Sequence, residues 1–216
     1  MYSRFYNTRD AVCNKGKIKV IGTGSLKVQP DMAIVNLGII TEDKNLEKAQ
    51  RENAKISNRV IRELESMGID RRDISTANYN IEAQYDYVDN KRVFRSYRVT
   101  NILGVNIRDI TKVGEIIDAS VKNGVNNVEN IRFTISNPKH YNNKALKLAV
   151  ENSVEKAMVI GSTLKVNVNT TPCSVKEIRP TEILRQNTVM LESAPVTPIM
   201  PGELTINATV EAIFIY

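Results

Sequence analysis

Apolar and polar positions alternate from Lys17 to Val28, with Ile18, Val20, Leu26 and Val28 set against Lys17, Lys19 and Lys27. This period-two pattern belongs to a half-buried strand. Pro30 and Asp31 interrupt it with turn chemistry, and Ala33, Val35, Leu37 and Ile39 resume it. The stretch therefore reads as two strands joined at a tight corner, a first hairpin. The period then changes: Leu46, Ala49, Asn53, Ile56, Val60, Leu64 and Met67 recur at three- and four-residue steps, predicting a helix with Asp43 as N-cap and Gly68 as its stop. Two long strands follow. Tyr79, Ile81, Ala83, Tyr85 and Tyr87 share a face of the first; Val93, Arg95, Tyr97, Val99, Asn101, Leu103, Val105 and Ile107 share a face of the second. Val88-Asp89-Asn90-Lys91 joins them as a long antiparallel hairpin.

The theme then repeats. A helix over residues 110–122 buries Val113, Ile116, Ile117 and Val121, ends at Asn123-Gly124, and leads to a strand over 130–136. Both helix exits read as glycine, branched apolar residue, polar spacer, strand, which suggests two βαβ-type units of shared geometry. A long Ala-rich helix over 139–164 presents a broad apolar surface of Ala145, Leu146, Leu148, Ala149, Val150, Val154, Ala157, Ile160 and Leu164. A strand over 173–179 precedes the final one, where Leu204, Ile206, Ala208, Val210, Ala212 and Phe214 face one way. Between those two strands lies a proline-rich loop, residues 180–202, with Ile183, Leu184, Val189, Met190, Leu191, Ile199 and Met200 along it. A loop this long and this apolar is expected to pack on a neighbouring subunit or on its own sheet.

The expected class is α+β, built from two βαβ-type units with mixed or antiparallel sheets, one long hairpin and one long Ala-rich helix. Residues 1–16 are expected to form a flexible basic segment and 17–216 the domain, with candidate sub-units 17–107 and 108–216. A chain of 216 residues supports a core without disulfides.

The net charge of +6 changes the picture little once located. The first twenty residues hold Arg4, Arg9, Lys15, Lys17 and Lys19 against Asp10, which leaves 25 basic and 23 acidic residues in the remainder. Those are interleaved, as on a solvated face, whereas a nucleic-acid surface gathers its cations. No run of about 18 uncharged apolar residues predicts a membrane span. The segment before Gly16 lacks the apolar stretch of a secretory leader, so a cytoplasmic location is expected, with export as the alternative if a leader is missing. Cys13 and Cys173 stand 160 positions apart, so two unrelated free thiols are expected ahead of the alternative, a disulfide between them.

Chemistry-bearing residues are sparse. His140 is the single histidine and sits at the start of the long helix, away from any nucleophile motif. Gly22-Thr23-Gly24 lies within a strand, where a bulge or a close backbone contact explains it better than a phosphate cradle. The pairs Glu42 with Asp43 and Asp86 with Asp89 flank strand ends; they admit acid–base work or a cation, and equally solvated turns. The richest constellation is Tyr79, Tyr85, Tyr87 and Tyr97 with Arg92, Arg95 and Arg98. Aromatic and basic residues interleaved on a sheet can stack bases, but tyrosine and arginine are also the residues favoured at protein interfaces. No catalytic, cofactor-binding or metal-ligating residues emerge. The candidate subunit interface comprises Tyr79, Tyr85, Tyr87, Arg95, Tyr97, Met190, Leu191, Ile199 and Met200.

The chain resembles the SIMPL-domain family of YggE-like and periplasmic-immunogenic-protein-like sequences. The likeness rests on Val20-Ile21-Gly22-Thr23-Gly24 with Pro30-Asp31-Met32-Ala33, Gly68-Ile69 with Asp73-Ile74-Ser75-Thr76, Tyr85-Asp86-Tyr87, Tyr97-Arg98-Val99-Thr100-Asn101 and Val113 to Asp118. It continues through Gly124 to Phe133, Ala145 to Ala157 and Pro201-Gly202-Glu203-Leu204. The resemblance implies an α+β fold, no enzymatic activity or cofactor, homo-oligomers in some relatives and a link to oxidative-stress tolerance in others. Two departures stand out: Ser96 occupies a place where the family usually has glycine before the tyrosine, and the export signal of many bacterial members is not evident. The expected function is a non-enzymatic, self-assembling scaffold or interaction protein. The alternative is a small-molecule- or metal-binding protein, or a hydrolase-like enzyme, using the acidic pairs.

Overall fold

Strand β1 (Lys17–Val28) pairs antiparallel along its whole length with β7 (Leu204–Ile215), from Lys17 opposite Ile215 to Val28 opposite Leu204. The computed structural model describes residues 16–178 and 199–216. Among them, seven strands and three α-helices divide between two units, one of residues 16–28, 137–178 and 203–216 and the other of 29–136 and 199–202. The units are not the consecutive halves 17–107 and 108–216, because the first and last strands of the chain share a sheet.

In the first unit, β6 (Ser174–Ile178) adds to the other side of β7, and helix α3 (Pro138–Leu164) covers one face of this three-stranded sheet. Asn137 caps the helix by accepting from the His140 N–H, and Pro138 occupies its first turn, where no N–H is needed. The buried stripe of α3 is Ala145, Ala149, Ser153, Ala157 and Gly161 at four-residue steps. Leu148, Ile160 and Leu164, expected on the apolar surface, are exposed. The reason is proximity. A Cβ on Gly24 would stand 2.6 Å from the Ala149 nitrogen and inside the envelope of the Ala145 carbonyl, and one on Gly22 would meet Ala149 and Ser153. Helix and strand backbones touch, so only small residues fit the seam and the larger ones are pushed to its flanks. The close-contact reading of Gly22-Thr23-Gly24 holds, with the register running through it unbroken.

The expectation of free thiols is corrected: Cys173 is disulfide-bonded. The other cysteine in the chain is Cys13, which lies outside the described residues. Distance along the chain was a poor guide, because the sheet folds it back. The Cys173 N–H donates to the Ile213 carbonyl at 2.8 Å, and Tyr216 N–H donates to the Gly16 carbonyl at 3.0 Å. Cys173 and the entry to β1 thus stand at the same end of β7.

The second unit contains β2 (Met32–Asp43), α1 (Leu46–Ser66), β3 (Ile74–Val88), β4 (Lys91–Ile107), α2 (Val113–Lys122) and β5 (Asn127–Thr134). Its sheet order is β3-β4-β2-β5, all neighbours antiparallel. Strands β2 and β3 consequently run parallel with β4 between them, and β4 and β5 run parallel with β2 between them. Two split βαβ units interlock, which is the ferredoxin-like arrangement. The α+β class therefore stands, and the sheets are wholly antiparallel. The expected first hairpin does not form. Asp31 instead fastens the corner to the end of β5: its N–H donates to Thr134, and its carboxylate accepts from Ser136 N–H at 2.6 Å and the Ser136 hydroxyl at 2.7 Å.

The two helix exits are superposable in their hydrogen bonds. Gly68 and Gly124 have φ of 87° and 110°. Ile69 N–H returns to the Leu64 carbonyl at 3.0 Å and Val125 N–H to the Ser120 carbonyl at 3.1 Å. This is the Schellman pattern, and its left-handed residue favours glycine. At the other end of α1 the cap is Asn45, whose side chain accepts from Lys48 N–H, while Asp43 accepts from Asn45 N–H. A 3-10 turn, Ile110–Lys112, leads into α2, and Val121 is exposed rather than buried. The core joins Val35, Leu37, Ile39, Leu103, Val105 and Ile107 of the sheet to Val60, Leu64 and Ile116 of the helices.

Candidate functional site

Strand β4 pairs with β2 only from Tyr97 onward. Residues 91–96 pair with β3 alone, so the end of the hairpin is a two-stranded ribbon. Asp89 and Asn90, with φ of 49° and 60°, form its two-residue turn, the left-handed geometry of a type I′ hairpin. A register shift sets Gln84 opposite Ser96 but Tyr85 opposite Phe94, which leaves Arg95 as an extra residue.

That bulge decides where the side chains go. Beyond it the alternation reverses, so the expected common face of Val93, Arg95 and Tyr97 does not exist. Phe94 joins the tyrosines instead. Its ring meets Tyr85 edge-on at 5.9 Å and Tyr97 at 5.0 Å, and the Arg92 guanidinium lies 3.7 Å over the Tyr85 ring. Tyr79 and Tyr87 stand on the same face of β3, 50% and 77% exposed. Sequence reasoning missed Phe94, because strict alternation assigned it to the opposite face and no residue signals the bulge.

On the other face the bulged Arg95 bridges two carboxylates, at 3.3 Å from Asp86 and 3.5 Å from Glu42. Glu42 also accepts from Arg98 at 2.6 Å and from the Ser96 hydroxyl at 3.0 Å. Ser96 is buried, and its hydroxyl is engaged by Glu42. The hydrogen bond from Arg98 is the main cause holding the Glu42 carboxyl below its ordinary value; partial burial opposes it, and Ser96 and the two guanidinium charges reinforce it. A depressed carboxylate stabilises the fold above the unfolded value near 4.5 and loses that contribution as pH falls through the folded one. Acid titration followed at the Arg98 Nε–H by NMR is expected to release this clamp below that point, and Glu42→Gln to remove the transition. An Arg98 signal unmoved on acidification would refute the clamp.

Of the acidic pairs, Glu42 and Asp86 are brought together, with Arg95 between them; Asp43 serves the start of α1 and Asp89 the turn. His140 is exposed beside Tyr141, ring centroids 5.2 Å apart. Among the described residues no three His, Cys, Asp or Glu side chains gather as a metal site, and no helix is long and apolar enough to cross a membrane. Ile199 packs on the core of the second unit and Met200 is exposed. Met190 and Leu191 lie outside the described residues.

Edge strands are treated differently in the two sheets. At the free edge of β1, Asn152 accepts from Thr23 N–H at 3.1 Å and Lys156 donates to the Ile21 carbonyl at 2.7 Å. Side chains of α3 thereby block the edge. At β3, also an edge strand and fifteen residues long, no side chain among the described residues bonds to the main chain.

Residues 18–214 match the family SIMPL, described as a protein of unknown function (DUF541). The chain is 32% identical to the 26 kDa periplasmic immunogenic protein of Brucella melitensis over 210 residues, covering 92% of this chain and 84% of that protein. Its counterpart from Brucella abortus is 31% identical with the same coverage. Uncharacterized protein YggE of Escherichia coli is 28% identical over 141 residues, covering 65% of this chain and 57% of that protein. The expected cytoplasmic location is corrected by the Brucella names, which point to export. A composition-based reading could not have found this, since the soluble parts of exported and cytoplasmic proteins bury the same kinds of core. With the match running through both units, this chain belongs to the SIMPL family.

Proposed function

We propose that the chain is a non-enzymatic, self-assembling scaffold acting outside the cytoplasm, with the hairpin of β3 and β4 making subunit contacts. The observation that carries this reading is the exposure of Tyr79, Tyr85, Tyr87 and Phe94 on and beside an uncovered two-stranded ribbon. A lone ribbon is marginal in water, and clustered exposed aromatics gain most from being covered by a partner. Arg92, over the Tyr85 ring, supplies the cation that such interfaces favour, and Arg95 sits on the opposite face of the same ribbon. Tyr97 supports the cluster from below, and Met200 is a further apolar contact exposed in the same unit. The names of the Brucella relatives and the disulfide at Cys173 both support an oxidising, extracytoplasmic setting.

Light scattering behind size exclusion is expected to give a mass well above the 24.3 kDa chain, reduced by Tyr87→Ser with Phe94→Ser. Thiol titration of native protein prepared without reductant is expected to find no free thiol. A monomer at micromolar concentration would overturn the assembly reading, and two free thiols would overturn the oxidising setting.

A further inference from the structure

Resting on that assembly reading, we propose that the subunit contact is a strand pairing: β3 of one chain adds antiparallel to β3 of a second copy, about a twofold axis at Ala83.

The two-residue turn makes Val88 and Lys91 a hydrogen-bonded pair. By alternation, the odd-numbered residues from Tyr79 to Tyr87 turn their N–H and C=O groups away from β4, toward the open edge. This edge lacks the side-chain block that α3 places on β1. It can therefore accept another strand without losing a bond already made.

Its sequence is self-complementary about Ala83. With Ala83 opposite Ala83 of the second copy, Ile81 faces Tyr85 and Tyr79 faces Tyr87 on the aromatic face. On the other face Glu82 meets Gln84 and Asn80 meets Asp86, so each carboxylate faces an amide. Centring the pair on Glu82 sets that carboxylate against its own copy, and centring it on Gln84 sets Glu82 against Asp86; like charges directly opposite destabilise both. The smallest side chain thus lies on the axis, where two identical residues must meet. A partner of different sequence is not needed to satisfy any of these positions, which is why a second copy is the occupant.

Ala83→Pro tests the contact, since it deletes an outward N–H and leaves the bonds to β4 intact. Light scattering is expected to show a smaller species than wild type at equal concentration, with little change in melting. Ala83→Cys is expected to form a covalent dimer on air oxidation, because opposed residues place their Cα atoms within disulfide range; Gln84→Cys, on the opposite face and off the axis, is the control that stays unlinked. If Ala83→Pro fails to fold, cross-linking alone decides. A larger-than-monomer wild type with Ala83→Pro unaltered and Ala83→Cys unlinked would overturn the β3 pairing while leaving self-assembly standing. A wild-type monomer would overturn both.

Discussion

Gly24→Val is expected to destabilise the protein by about 3 kcal/mol, the upper end of overpacking costs. A Cβ at this position runs into the Ala145 carbonyl, the Ala149 nitrogen and the Leu148 Cβ. Two of these are helix backbone, so no rotamer change relieves the clash and α3 must lift from β1. Lifting it also opens the seam of Ala145, Ala149 and Ala157 against Ala208, Val210 and Ala212, and loosens the Asn152 and Lys156 bonds that block the β1 edge. Gly68→Ala is the matched contrast. Nothing lies within 4 Å of its added Cβ, and only φ of 87° opposes the change, at about 1–2 kcal/mol. Urea midpoints of the two variants separate these mechanisms. Equal shifts would show that contact between the backbones does not set the packing.

Asn53→Leu is expected to cost about 2–3 kcal/mol, the penalty of leaving buried polar groups unpaired. Asn53 is 1% exposed. Its Nδ2 donates to the Ile39 carbonyl at 2.8 Å and the Val99 carbonyl at 3.2 Å, tying α1 to β2 and β4 at once. Ser57 donates to the Asn53 carbonyl at 2.8 Å and accepts from Asn101 Nδ2 at 3.0 Å. A leucine fills the space but strands this seam, where Asn101 Oδ1 is already buried without a partner. Adding Ser57→Ala and Asn101→Leu to Asn53→Leu is expected to recover part of the loss, because the Ser57 and Asn101 side chains are then removed together instead of being left without partners. A neutral single variant, or a triple variant worse by the full sum, would refute the seam.

Both cases bear on what a sequence can show. Asn53 was legible as buried, since it falls on the apolar period of its helix, but its network joins Ser57 of the same helix to Asn101 of β4 and to main-chain carbonyls of β2 and β4. Glycines 22 and 24 were legible as a close contact, yet the partner helix lies more than a hundred residues away. The hairpin was legible down to its turn, because Asp89-Asn90 is local chemistry. Its working face was not. The bulge at Arg95 sets its guanidinium between Glu42 and Asp86, while Ser96 and Arg98 also bond Glu42, and this arrangement exists only after β2 and β3 have been brought to β4.

By itself, the sequence determined the elements, the α+β class, the two similar helix exits and the membership of a family, since all of these rest on local periodicity, capping and the order of short motifs. Only the tertiary structure decided that the first and last strands share a sheet, that Cys173 is disulfide-bonded, that Phe94 completes the aromatic face, and that β1 is blocked while β3 is open. Strand pairing is a contest among distant segments for the same hydrogen bonds. Its outcome is fixed by which helix can press against which strand, a property carried by no single stretch of the chain.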